Sequence, residues 1–212
     1  MRQIFIATSN SGKLRDFAAA AASYGVEVAP VPGISSLPVP SEDAPTFEAN
    51  ACKKAEHYSR WVRANYVLAD DSGLEVDALG GAPGVHSARY AAVGGGNLSL
   101  NATDAANNSL LLAQMREIPE ERRGARFVCV IAVARENRLC VCFRGEVNGV
   151  LLYEARGAGG FGYDPLFYLP EIRQTFAELS PEEKAKFSHR GQAFRKFLKW
   201  FSDLQDMPES TK

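Results

Sequence analysis

Three short apolar runs, Ile4-Phe5-Ile6-Ala7, Val26-Glu27-Val28-Ala29 and Tyr66-Val67-Leu68-Ala69, alternate with two helical stretches, and that order narrows the fold more than any other feature of the chain. The first helix is expected over residues 14–22, rich in good helix formers and closed before Gly25. The second is read from Phe47, Ala51, Ala55, Tyr58 and Val62, whose spacing traces one face of a helix entered through Asp43 and Pro45. Strand, helix, strand, helix, strand favours an α/β layered fold, in which ligands collect at strand ends. Pro30, Pro32, Gly33, Pro38 and Pro40 forbid a long regular element after the second run, so a loop crosses the surface or a cleft there.

Further along, residues 127–134 and 139–147 are β-rich and joined by Arg135-Glu136-Asn137-Arg138, which predicts an antiparallel hairpin and therefore a mixed sheet. Gly80-Gly81-Ala82-Pro83-Gly84 and Gly94-Gly95-Gly96 bracket a stretch expected to be flexible, followed by a helix over residues 104–115. Four glycines within residues 157–162 let the backbone lie close against something. Ser180-Pro181-Glu182-Glu183 has the form of a capping box. Phe194, Phe197, Leu198, Phe201 and Leu204 then make a last helical stripe before a tail over 206–212 that is expected to fray. One domain over residues 1–205 accounts for the pattern.

Composition removes several function classes. Twenty-four Lys and Arg against twenty-five Asp and Glu leave a formal charge of -1, which provides no bulk field for nucleic acid or an anionic membrane, so any anion site is local. The longest apolar run has eight residues, far from the roughly 20 that a spanning helix needs, and the N-terminal apolar stretch is too short for a signal peptide. A cytoplasmic protein is the expectation. Four cysteines without paired metal-ligand spacing read as reduced, structural thiols. His57 and His86 read as structural too.

Chemistry concentrates in a few places. Thr8-Ser9-Asn10-Ser11-Gly12-Lys13 joins a strand to a helix, where backbone N–H groups and a Lys can surround phosphate oxygens, or simply cap the helix. It is not a P-loop, which would place Gly at Ala7 and Ser or Thr at Leu14. Asp70 and Asp71 follow the third strand and precede Ser72-Gly73. They bring oxygen ligands suited to Mg2+ to a strand end, one Asp facing the metal or water and the other supporting it, or they form an Asx-turn and a helix cap. Glu42 and Asp43 supply a further metal ligand or a charged cap, and Lys53 points into the cleft or snorkels. Lys184, His189 and Arg190 form a second cationic cluster or a solvated helix face. Phe161, Tyr163, Phe167 and Tyr168 stack on a base or belong to the core. A Ser-His-Asp hydrolase built on Ser72, His189 and Asp71 lacks the G-x-S-x-G elbow.

Taken in order, these segments resemble the inosine triphosphate pyrophosphatase family: residues 4–13, Thr46-Phe47-Glu48-Ala49-Asn50-Ala51-Cys52-Lys53-Lys54-Ala55, Ala69-Asp70-Asp71-Ser72-Gly73-Leu74, Gly81-Ala82-Pro83-Gly84, Ser87-Ala88-Arg89-Tyr90, Gly159-Gly160-Phe161-Gly162-Tyr163-Asp164-Pro165 and Ser188-His189-Arg190. The resemblance implies a two-lobed α/β fold around a mixed sheet with the site between the lobes, Mg2+ as cofactor and a homodimer. It implies cleavage of inosine, deoxyinosine and xanthosine triphosphates to monophosphate and pyrophosphate, which cleanses the nucleotide pool. By position it assigns Asp71 as general base and, with Glu42, as metal ligand. It assigns Thr8, Ser9, Asn10, Ser11, Gly12, Lys13, Ser72, Phe161, Gly162, Tyr163, Asp164, Lys184, His189 and Arg190 to substrate, and Lys53 joins them from its place on the second helix. The family usually reads Thr-Gly-Asn where this chain has Thr8-Ser9-Asn10, so a positive φ there would strain Ser9. A pyrophosphatase for pyrimidine or methylated nucleotides and a non-catalytic nucleotide-binding module are the alternatives.

Overall fold

The computed structural model describes residues 2–62, 65–94 and 101–206. Its apolar runs become a seven-stranded mixed sheet of order β2-β1-β3-β4-β5-β6-β7. Strand β1 (Arg2–Ile6) pairs in parallel with β2 (Val26–Pro30) and β3 (Val67–Val76), each reached through a crossover helix, α1 (Ser11–Ala21) or α2 (Phe47–Ser59). From β3 the sheet turns antiparallel through β4 (Gly124–Arg135) and β5 (Arg138–Leu151). Glu136 and Asn137, both at positive φ, close that hairpin, the conformation a tight two-residue turn requires. Short strands β6 (Phe167–Leu169) and β7 (Gln174–Thr175) finish the edge.

Helices α3 (Tyr90–Gly94), α4 (Asp104–Gln114), α5 (Pro181–Phe187) and α6 (His189–Asp206) complete the chain. Ser180 forms the expected reciprocal capping box with Glu183 at the start of α5. Ser188 then restarts the chain as α6, its Oγ accepting from the Gly191 N–H at 3.0 Å.

Alternation along the central strands splits the core. Leu68, Cys129, Ile131 and Val133 face α1 and α6, packing on Phe17, Phe194 and Phe197. Val67, Ala69, Val128, Val130 and Ala132 face α2, packing on Phe47, Ala51, Ala55 and Tyr58. A third cluster, with Leu74, Phe127, Phe167 and Phe176, fills the far end of the same strands. At full burial each Val, Leu, Ile or Phe among these contributes about 1.5–3 kcal/mol, so the two faces of β3 and β4 hold the molecule together.

Three expectations change. The third strand does not stop before Asp70: β3 continues to Val76, because each buried carboxylate finds cations or amide donors on its own side of the sheet. The first helix begins at Ser11 rather than Leu14, since Asn10 Oδ1 accepts from the Lys13 N–H at 3.0 Å and caps it three residues earlier. Up to Gly94 the glycine-bracketed stretch folds into 3₁₀ turns and α3. It is held by Tyr163 Oη donating to the Ser87 carbonyl at 2.9 Å and by Asn107, which bonds Ala88 and Ala91. Gly95, Gly96 and the tail beyond Asp206 lie outside the described residues. Among those residues no helix is long and apolar enough to cross a membrane.

Candidate active site

Strand period decides what Asp70 and Asp71 do. Successive side chains point to opposite faces of the sheet, so two adjacent carboxylates enter two different environments. Both line one cleft of about 1110 Å³, which also takes in the β1–α1 loop, the proline-rich loop, the turn around His86 and residues of the C-terminal segment.

On the α1 and α6 side, Asp70 Oδ2 lies 2.9 Å from Lys13 Nζ and 3.5 Å from Arg190 Nη2, and accepts from Ser72 Oγ at 3.1 Å. Arg190 also donates to Ser72 Oγ at 2.8 Å and to Asp16 Oδ2 at 2.6 Å. Lys184 joins through Asp16 at 3.5 Å and Asp164 at 2.6 Å. Three cations meet three carboxylates, so this cluster balances its own charge. Burial raises the Asp70 carboxyl, but Lys13, Arg190 and Lys54 outweigh it and hold the group well below the usual carboxylate range. Phe161 lies beneath the cluster, its ring centroid 4.6 Å from Lys184 Nζ and 5.5 Å from the Arg190 guanidinium carbon. Gly12 is required for that placement, since a Cβ there would stand 2.6 Å from the ring.

The α2 side is different. Asp71 Oδ1 lies 3.3 Å from Lys54 Nζ, which also meets Glu42 Oε2 at 3.2 Å. Asn50 Nδ2 donates to Asp71 Oδ2 at 3.1 Å, while Asn50 Oδ1 accepts from the Ala44 N–H at 3.0 Å. One buried amide therefore orients Asp71 and tethers the loop that carries Glu42. Arg89 Nη2 fastens that loop from the other side, donating to the Glu42 carbonyl at 2.5 Å. Two carboxylates share one ammonium, leaving an excess negative charge. Burial is the chief cause of a raised Asp71 carboxyl, reinforced by Glu42 and opposed by Lys54, Lys13 and the Asn50 hydrogen bond.

Most of the expected positions meet at this cleft. Thr8, Ser9, Asn10, Lys13, Glu42, Asp43, Asp70, Asp71, Ser72, Phe161, Gly162, Tyr163, Asp164, Lys184, His189 and Arg190 line it. Ser11 and Gly12 do not, being the first residues of α1 behind the loop. Ser9 is not among the described residues with positive φ, so the substitution for Gly carries no backbone strain. Lys53 needs correction: it turns outward to Ser41 Oγ at 2.6 Å and Asp43 Oδ1 at 2.8 Å, and its neighbour Lys54 is the lysine that enters the cleft. His189 is not a cation, because burial first, then Arg190 and Lys184, keep its imidazole neutral. It stacks on Phe127 with centroids 4.7 Å apart. His86, expected to be structural, lines the cleft, whereas His57 bonds the Pro38 carbonyl. Of the four aromatics, Phe161 faces the cleft. Tyr163 is buried at its edge, Phe167 is core, and Tyr168 lies under Arg156.

An open α/β sheet that gathers paired cations and a carboxylate-rich pocket into one cleft places this chain among the α/β proteins that bind a small polar ligand beside the sheet. Sequence comparison makes the assignment specific, for a model of the Ham1 family matches residues 4–200. The dITP/XTP pyrophosphatase of Acidobacterium capsulatum is 49% identical, over 92% of this chain and 96% of its own. That of Geobacillus kaustophilus is 48% identical over 96% of each chain. Among solved structures, the Ham1 protein of Staphylococcus aureus superimposes with a TM-score of 0.79 at 36% identity, covering 96% of this chain and all of the other. The chain belongs to the Ham1 family.

Proposed function

We propose that the protein hydrolyses inosine, deoxyinosine and xanthosine triphosphates between the α and β phosphates, releasing monophosphate and pyrophosphate, and so clears such nucleotides from the pool. The observation that carries this reading is the convergence of Glu42 and Asp71 on one ammonium, across a cleft from the Lys13, Lys184 and Arg190 cluster. The relatives' name, dITP/XTP pyrophosphatase, supports the substrate class.

A triphosphate brings about four negative charges, which a chain of net charge -1 holds only by focusing cations locally. Thr8, Ser9, Asn10 and Lys13, at the N-terminus of α1, receive phosphate oxygens together with Lys184 and Arg190. Asp71 accepts the proton of a water attacking the α phosphorus, and its raised carboxyl makes it a stronger base than an exposed Asp.

The donor set fits Mg2+, since two oxygen ligands with an uncompensated charge, Glu42 and Asp71, are what this ion takes from a protein when substrate phosphates complete its shell. Bound there, Mg2+ would neutralise charge developing on the phosphate oxygens. Lys54 holds the same two carboxylates in register.

Base choice follows from polar atoms that the protein leaves unpaired. Among the described residues, His189 Nδ1 and Arg190 Nε are buried without a partner. Arg190 Nε–H, and His189 Nδ1 in the tautomer that protonates it, suit the 6-oxygen of hypoxanthine or xanthine, and an adenine 6-amino group in its place leaves donor facing donor. Phe161 offers its ring to the same ligand.

The test is product analysis with inosine, deoxyinosine, xanthosine, guanosine and adenosine triphosphates and methylated pyrimidine analogues, with and without chelator. Chelator-sensitive pyrophosphate release from inosine, deoxyinosine and xanthosine triphosphates is expected, with little from adenosine or guanosine triphosphate. A pyrimidine preference, release of single phosphates, or binding without turnover each overturns the reading. We extend the proposal to a homodimer, supported by exposed Trp61 and Leu139 beside the Arg60–Asn137 bond that ties α2 to the β4–β5 turn. Light scattering is expected to give a two-chain mass, and a one-chain mass would refute it.

A further inference from the structure

The four cysteines are free, yet two of them touch: Cys52 Sγ on α2 lies 3.3 Å from Cys142 Sγ on β5, across 90 residues of chain. Both are half-buried at the margin of the core beneath α2. A disulfide needs its sulfurs at about 2.05 Å, so closing this pair takes a movement of roughly 1 Å. Cys129 is sealed inside the other core face, and Cys140, two residues along β5 and exposed, bonds the Arg138 carbonyl instead.

We propose that Cys52 and Cys142 are a modification site, a reversible intramolecular disulfide formed by peroxide that fastens α2 to β5. The balance is simple. The Cys52 thiolate attacks one peroxide oxygen, forming S–O and breaking O–O, and the departing hydroxide leaves as water with the proton from Cys52. Cys142 then loses its proton and attacks the Cys52 sulfur, forming S–S and expelling the second oxygen as water. Two thiols and one hydrogen peroxide become one disulfide and two waters.

Of the two half-buried thiols, the one raised less attacks first. Burial pushes the Cys142 thiol up to about 12, and it raises the Cys52 thiol as well. The reaction is therefore slow at neutral pH, and more alkaline solution speeds it. Slowness distinguishes this site from a peroxide sensor, whose thiol is acidified. What the link changes is the anchorage of α2, the helix that carries Asn50 and Lys54 to Asp71.

The experiment treats the whole chain with hydrogen peroxide, alkylates the remaining thiols, maps linked peptides by mass spectrometry and measures Tm. The expected product joins Cys52 to Cys142 within one chain and melts at least about 4 °C higher than the reduced protein, because a long loop is closed in the unfolded state. Dithiothreitol reverses both changes. They persist in Cys140→Ser and vanish in Cys52→Ala and in Cys142→Ala, whose folding is checked by circular dichroism. Cys52 and Cys142 both recovered alkylated or as sulfinic acids overturns the proposal. So does linkage through Cys140, or a Cys52–Cys142 link with no change in Tm.

Discussion

Asp70 and Asp71 are adjacent in sequence and identical in chemistry, yet β3 presents them to opposite faces of the sheet and they end in opposite electrostatic states. Asp70 sits in a balanced cluster, surrounded by Lys13, Arg190 and Ser72. Asp71 sits in an unbalanced one, sharing Lys54 with Glu42. The first is held far below its ordinary value and the second is raised from it. A fully countered charge organises a fold, and an under-countered one is available for chemistry.

That division is broken most directly at Asp71. Asp71→Asn is expected to lose about 10²- to 10⁴-fold in turnover, the usual worth of a general base, while Tm holds or rises. The sign follows from its pKa: a carboxyl raised in the folded state opposes folding once it ionises, so a neutral amide relieves that cost. Steady-state kinetics beside a melting curve checks both, and near-normal turnover in a folded variant would remove Asp71 from the mechanism.

Asp70→Asn is expected to do the reverse, costing about 3–5 kcal/mol of stability by leaving Lys13 and Arg190 under-compensated in a buried site. Urea unfolding at several pH values measures it. A depressed carboxyl stabilises fully above its unfolded value and loses that stabilisation as pH falls through its folded value. The gap between wild type and variant is therefore flat near neutrality and narrows on acidification. A constant gap down to strong acid would contradict the assignment.

The smallest effect sharpens the comparison. Asn50→Ala removes the hydrogen bond that lowers the Asp71 carboxyl and frees the loop carrying Glu42. Turnover is expected to fall about tenfold, and the acid limb of the kcat/KM profile to move to higher pH. A merely structural asparagine would lower Tm without moving that limb.

How far the sequence foretells this site depends on how local each cause is. The Ser180 capping box, the β4–β5 hairpin and the alternating strands and helices are set by neighbours, and they read well. The run through Asp70 and Asp71 read as a strand end because its counter-charges come from Lys13, Lys54 and Arg190, none of them nearby in sequence. The Lys53 and Lys54 doublet was settled the wrong way, although a signal was present. Asn50 falls on the buried side of α2, and its partner one turn on is Lys54, so helical phase alone selects the second lysine. Neutral His189 was beyond reach, since its state depends on burial against Phe127 and on two cations beside it.

Asp16 on α1 and Arg190 on α6 are joined at 2.6 Å across 174 residues. Their pairing gives synthesis on the ribosome a direction. The β1–α1 loop and Asp16 are made early, but Arg190 follows 174 residues after Asp16, so a nascent chain carries half of this cluster throughout that interval. Any chain cut short before α6 lacks Arg190 and leaves Asp16 and Asp70 short of their common counter-charge. The cleft is then assembled only once α6 has been made.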